Sequence, residues 1–582
     1  MANTLQRLTV VWFALSSSAL ASAVAQDIDT VEPGIGTLNA AVYGDTLAGG
    51  QRKDPNRVYL LRRGQRYLMN SRIQTSGYHL RLVGEPPPSS GPDPGPAVLE
   101  AAPRVDGGVD QLLLNILGDL TLENLWILSW STNDVQQSSN IQISSDSTRV
   151  EIDRCIFEWP MGSALTVKGR HLQMVSLTNS TFRNCVNGGS WAQGRALDFV
   201  NAPVDSILIE NTTFENLGEG ISTNGNGVQW LWCDHATFLN VINFAFLEEY
   251  WKEAYIVNSV FVNSHVAGER RLADHFANNA DSLLFGSIIN IDSLSSPYNL
   301  SDNHDEQGRR ILLYANSNFR TPAFQAYYDA YNANHMADPI FAEPALNDRT
   351  RKFLAENDGT MKMAALYDST DPRFVIPPGN EDSILSFLND QYTGPTTTVV
   401  WGWDPDTDTT RSGIDSRRIT GWPLPENLAY VNDTLLHAAW MSYPLGDLNW
   451  FPDRLLPWSS VKEFERASLI NMLGVHTTRA DNSLARPIPA GYILAPNYPN
   501  PFNPATTIEF SVPRQSRVQM VVYDVLGRKT CVLVDAQLAA GAHTVTWDGR
   551  DASGREAGSG VYFCQLISGT ARSNTRKMLL VR

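Results

Sequence analysis

The feature that most constrains this chain is a repeat of one short apolar grammar through its first half. Six segments align: LTLENLWI (120–127), VEIDRCIF (150–157), VSLTNSTF (175–182), ILIENTTF (207–214), WCDHATF (232–238) and AYIVNSVF (254–261). Their last residues are Ile127, Phe157, Phe182, Phe214, Phe238 and Phe261, separated by 30, 25, 32, 24 and 23 residues. A weaker seventh copy ends near Ile289. Five positions before this anchor stand Leu122, Ile152, Leu177, Ile209, Cys233 and Ile256. Three before it stand Asn124, Arg154, Asn179, Asn211, His235 and Asn258; two after it stand Asn184, Asn216, Asn240 and Asn263. A single copy cannot bury its apolar face, so neighbouring copies must stack. Asn tolerates a left-handed backbone and bonds nearby main chain. Stacked copies therefore predict a ladder of amides.

A period of roughly 20–30 residues with one strand-rich unit fits a parallel β-helix or a leucine-rich repeat. The leucine pattern L-x-x-L-x-L is absent, which favours the β-helix. GTLNAAVYGD, then VYLLRRGQRY and YHLRLVGE, look like the capping helix and first coils of such a body. With these segments and the repeat, residues 34–310 resemble the pectin-lyase-like right-handed parallel β-helix family. That resemblance implies a body lying across polysaccharide chains. Binding is the leading expectation; a polysaccharide lyase, a glycoside hydrolase, or a structural surface protein or adhesin are the alternatives.

The two ends concern export. Residues 8–20 are largely apolar behind Arg7, and Ala21-Ser-Ala-Val-Ala25 supplies a small-residue cleavage pattern. This is the three-part form of a secretory signal over residues 1–25. No other stretch is long and apolar enough to span a bilayer, so no transmembrane segment is expected in the mature chain. At the other end, NYPNPFNPATTIEFSVP, VQMVVYDVLGRK, GAHTVTWDGRDASG, SGVYFCQL and KMLLVR follow one another. Thr506–Val512 and Val518–Tyr523 alternate as strands do, Asp524–Gly527 reads as a turn, and His543–Trp547, Val561–Leu566 and Met578–Val581 add strands. Across residues 491–582 these motifs resemble the type IX secretion C-terminal sorting domain with its FlgD-like immunoglobulin fold. The resemblance implies passage across a Gram-negative outer membrane, with the type IX machinery as partner.

The fold expected is mainly β. It comprises a signal peptide (1–25), a parallel β-helix with an N-terminal cap (26–310), and an irregular, short-helix region packed on its flank or capping its end (311–485). A linker (486–497) and an immunoglobulin-like β-sandwich (498–582) follow. Within the third unit, helices are expected over 322–334 and 460–473, the latter opening with a Ser460–Glu463 capping box. The net charge of −16 repels phosphate backbones and argues against nucleic acid. A monomer is expected. The five cysteines, Cys155, Cys185, Cys233, Cys531 and Cys564, form no CxxC. The first three read as buried thiols. Cys531 and Cys564 fall on two strands of one small domain, where an oxidising compartment permits a disulfide.

Three places could carry chemistry. Gln229–Phe238 looks like the vWIDH segment of pectate lyases through Trp232, Asp234 and His235, although the family's R-x-P-x-x-R partner is absent. The plain alternative is that Asp234 and His235 merely fill repeat columns. Next come Glu248, Glu249, Lys252, Glu253, His265, Glu269, Arg270, Arg271 and His275. Acid, base and cation on neighbouring coils can bind calcium and abstract a proton; the alternative is a solvated charged loop. The catalytic candidates are thus Asp234, His235, Glu248, Lys252 and Arg270. Third, Asp404, Asp406, Asp408 and Asp415 offer oxygens at positions 1, 3, 5 and 12 of a calcium loop. Thr409 replaces its sixth-position glycine and Asp415 its terminal glutamate, so an acidic turn is the competing reading. Trp191, Trp230, Trp232, Tyr250 and Trp251 can stack on sugars or fill the interior.

Overall fold

The computed structural model describes residues 27–47, 52–169, 173–190, 193–200, 204–224, 226–247, 250–270, 287–291, 293–295, 299, 304, 306–357, 359–393, 401–403, 421–473, 493–494, 497, 502–512, 516–538, 541–568, 571–572 and 575–582. The expected signal peptide lies outside them, as does most of the expected linker. The chain is mainly β, with two large parallel sheets.

The sheets stack as the columns require. Ile127 pairs with Phe157, Phe157 with Phe182, Phe182 with Phe214, Phe214 with Phe238, and Phe238 with Phe261, all in parallel register. The rings lie face to face, with centroids 4.8, 5.3, 4.6 and 5.1 Å apart from Phe157 to Phe261. Stacked rings at one strand spacing bury apolar area and add aromatic attraction at each step. A second inward column, Leu122, Ile152, Leu177, Ile209, Cys233, Ile256 and Leu313, is also in register and buried. Cys233 acts there as a small hydrophobe, and burial pushes its thiol well up.

Between the two columns sits a residue that turns the strand. Asn124, Arg154, Asn179, Asn211, His235 and Asn258 have φ of 55, 51, 49, 46, 52 and 51°. This left-handed backbone redirects the chain so that inward faces before and after it both meet the core. Asn184, Asn216, Asn240 and Asn263 are left-handed as well. Their amides form the expected ladder: Asn216 Nδ2 donates to Asn184 Oδ1 (3.3 Å), Asn240 to Asn216 (3.1 Å) and Asn263 to Asn240 (3.0 Å).

The parallel stack does not stop at residue 310. Strand Arg310–Phe319 pairs with 253–257 and 260–262, and Met361–Asp368 pairs with it in turn. The seventh copy therefore ends at Asn318, opposite Phe261, rather than near Ile289. It keeps the turning residue as Ala315, φ 52°. At the other end, parallel pairing begins with Ile28–Val31. The Thr37–Gly44 helix buries Leu38 and Val42 in the same core, where the capping helix was expected.

Around its last strands, described segments between residues 320 and 473 lie against the flank of the stack. Pro322–Asn334 and Glu381–Thr393 cover Trp159, Val186, Ile242 and Val266. Residues 428–445 cover Leu239, Val260 and Val262. The Lys462–Asn471 helix packs Phe464 and Leu469 on Trp232, Tyr255, Val257 and Leu312. The Ser460 capping box does not form. Val461 is the cap residue, and the Ser460 hydroxyl donates to Pro457 O (2.6 Å), within the preceding helix.

The C-terminal domain is antiparallel, with strands at Thr506–Val512, Ser516–Asp524, Lys529–Leu538, Gly541–Trp547, Gly560–Ser568 and Arg576–Leu580 in two sheets around one core. Its cysteines are free. Cys531 and Cys564 oppose Val522 from its two sides, so an intervening strand keeps them about 10 Å apart. A disulfide spans about 7 Å at most between Cα atoms.

Candidate functional site

Of the expected catalytic residues, Asp234 and His235 fall in one strand, Val228–Val241, and both are buried. Lys252 is not brought beside them. Lys252 stands five residues before Val257, the register partner of Asp234, which is roughly 16 Å along the strand. Its amine donates to Gln307 O (2.7 Å). The Arg270 backbone belongs to a separate two-stranded sheet, paired with Ile340. Glu248 and Glu249 lie outside the described residues, as do Asp404, Asp406, Asp408 and Asp415. Trp232, Tyr250 and Trp251 are buried and Trp230 half-buried, so the first three serve packing.

What does gather at Asp234 comes from far along the chain. The Lys462–Asn471 helix lays Glu465 over the strand. Asn258 donates through Nδ2 to Asp234 Oδ1 (2.8 Å) and to Glu465 Oε1 (2.7 Å). Trp458, fully buried, donates to Glu465 Oε2 (2.7 Å). His235 Nδ1 meets Gly446 O at 3.1 Å. Gly446 can approach this closely only without a side chain: its φ is 76°, and a Cβ there would lie 2.6 Å from Thr237 Oγ1. With Nδ1 donating to a carbonyl, His235 Nε2 carries the lone pair. It has no hydrogen-bond partner and faces Asp234 Oδ1 at 3.9 Å.

One turn of the helix outward, Lys462 Nζ (2.6 Å) and the Arg466 guanidinium clamp Glu210, the register partner of Asp234. Burial raises the Glu210 carboxyl, but Arg466 and Lys462 outweigh it and hold the pKa below the ordinary value. Asp234 lacks such a clamp. Burial lifts it to about 7, against the hydrogen bond from Asn258 and with the help of Glu210. Glu465 is driven well up by burial and then by Asp234, while burial pushes His235 down to about 3. The site is thus three carboxylates and a neutral imidazole, all buried, with two half-buried cations at its rim. It can hold a proton or a cation, but offers no route for a polymer.

A second buried cluster was missed from the sequence. Arg183, without exposed side-chain surface, bonds Glu158, Glu215 (3.0 Å) and Glu426 (3.1 Å). Glu158, Arg183 and Glu215 are register partners one residue after the Phe column. Their alternating charge in that column was the available signal.

Residues 497–581 match the family of secretion system C-terminal sorting domains. Among solved structures, the chain is similar to dimeric latent PorU from Porphyromonas gingivalis (23% identity, 15% of this chain and 9% of that one, TM-score 0.14). It is also similar to FlgD from P. aeruginosa (27%, 13% and 59%, TM-score 0.12). PorZ, a bacterial surface component of the type-IX secretion system of P. gingivalis, matches at 20% (16% and 12%, TM-score 0.12). The chain thus spans between 9% and 59% of these relatives' own lengths. No curated protein matches it. Among the described residues no helix is long and apolar enough to cross a membrane.

Proposed function

We propose that this chain is carried across the outer membrane of a Gram-negative bacterium by the type IX machinery. It is then released or held at the cell surface, where its body, a right-handed parallel β-helix, binds extracellular polysaccharide. The match of residues 497–581 to secretion sorting domains carries the export reading. In-register parallel pairing from Ile28 to Asp368, with stacked Phe and Asn columns, supports the coil architecture. Glycan binding rests on fold analogy and on one surface row. Gln74, Asn115, Gln142, Thr166 and Asp198 are register partners along the smaller parallel sheet. Asn115 donates to Gln74 (3.3 Å) and Gln142 to Asn115 (3.4 Å), and Asn115 and Gln142 are half-buried. Thr166 is buried, so the row offers its amides: Gln74, Asn115 and Gln142, regularly spaced, suit the hydroxyls of a polymer lying along the stack. The sealed state of Asp234 and His235 favours binding over lyase chemistry.

The test uses the mature chain against a panel of neutral and acidic polysaccharides. Retention of a glycan, weakened at least tenfold by Asn115→Ala with Gln142→Ala, supports the reading. New unsaturated-uronate absorbance would instead make the protein a lyase. No retained glycan would leave a structural surface protein.

A further inference from the structure

We infer that Asp234, His235 and Glu465 form a binding site for one divalent transition-metal ion of the Zn2+ or Mn2+ kind. A ligand atom from each of the three lies within 4.8 Å of the other two, and all three residues are buried. Two independent features point to a cation. The first is the imidazole. Its Nδ1 proton is committed to Gly446 O, which leaves the Nε2 lone pair aimed inward with no hydrogen-bond partner. Metal-ligating histidines are held this way, with the second nitrogen donating to a carbonyl or carboxylate. A buried acceptor left empty is costly, so the arrangement calls for an occupant.

The second feature is charge. Lys462 and Arg466 are both spent on Glu210. Asp234 and Glu465 then face each other across the Asn258 amide, which offers hydrogen bonds but no charge. Two carboxylates and one neutral imidazole are a mixed oxygen and nitrogen donor set. Such a set suits zinc or manganese, whereas calcium takes oxygen ligands alone. Trp458 and Asn258, donating to the same carboxylates, orient them from behind.

The site is sealed, so its role is structural. It ties the Lys462–Asn471 helix to the strand at 234–235, more than 200 residues earlier. The sequence also supplies a well-tolerated variant. Other copies place Asn at the His235 position with the same left-handed backbone, φ 46–55°. His235→Asn thus removes the ligand while keeping the fold's own residue.

The experiment uses the full mature chain, stripped with a chelator under mild denaturation, refolded, and titrated with Zn2+ alone. Bound metal is counted by mass spectrometry, and Co2+ substitution is followed by visible absorption. The wild type is expected to retain one equivalent that His235→Asn and Glu465→Gln each lose, with Zn2+ raising the wild-type Tm only. A wild type that takes up no Zn2+, or the same equivalent retained by both variants, would overturn the proposal. The first result would leave a proton shared between the carboxylates as the occupant.

Discussion

Replacing Asn216 separates the two jobs assigned to the ladder residues. Its side chain makes three hydrogen bonds: to Asn184 (3.3 Å), from Asn240 (3.1 Å) and from Asn380 (2.9 Å). Its backbone has φ 55°. Asn216→Gly removes the amide and keeps the backbone at ease. The orphaned groups each retain a partner: Asn184 Oδ1 accepts from Trp403 N (2.8 Å), Asn240 donates to Asn380 (3.3 Å), and Asn380 donates to Trp401 O (2.6 Å). Each lost bond then costs about 1 kcal/mol, or about 3 kcal/mol in all. Asn216→Ala loses the same bonds and adds a left-handed penalty of about 1–2 kcal/mol. Alanine's lower unfolded-state entropy returns about 0.5–1 kcal/mol of that. Urea unfolding followed by tryptophan fluorescence should rank Asn above Gly, and Gly above Ala by about 1 kcal/mol. Alanine equal to or better than glycine would refute the backbone argument, since simple space-filling favours alanine. A loss below about 0.5 kcal/mol in both would refute the ladder.

Three further outcomes follow from the same structure. Phe214→Ala, which removes a ring stacked on both Phe182 and Phe238, should lower stability by about 3–5 kcal/mol in the same assay; a loss under about 1 kcal/mol would mean that the column is not close-packed. Burial, with Arg320 nearby, depresses His265 to about 3, so the unfolded chain takes up a proton there below about pH 6.5 that the folded chain refuses. Stability is full above that pH and falls as acid is added, and His265→Asn should relieve about 3 kcal/mol of the loss between pH 7 and 4; parallel wild-type and variant curves would contradict it. All five cysteines should react with iodoacetamide in denaturant without reductant, and a mass short by two labels would reveal the disulfide that the strand order forbids.

Much of the body was legible because its determinants are local and periodic. The Phe anchor, the aliphatic column and both Asn columns each recur within a copy, and parallel stacking turns sequence spacing into spatial register. Legibility failed where a copy kept the geometry but changed the residue. Strand Arg310–Phe319 puts Ala315 and Asn318 where Asn and Phe stood, so residue 310 looked like an end. The site was less legible. Asp234 and His235 were singled out as candidate chemistry or as column residues, but what surrounds them is supplied by the Lys462–Asn471 helix. Glu465 meets Asn258 across 207 residues of chain, and no spacing rule reaches that far. The Glu158–Arg183–Glu215 alternation was present in the columns, yet its third carboxylate, Glu426, comes from the flank.

The most direct test of the account is where the chain goes. In a Gram-negative host with a type IX system, the full chain should be found on the cell surface or in the medium, and a chain ending at residue 485 should stay in the periplasm. The truncated chain reaching the surface or medium as efficiently as the full one would contradict the export role of residues 497–581.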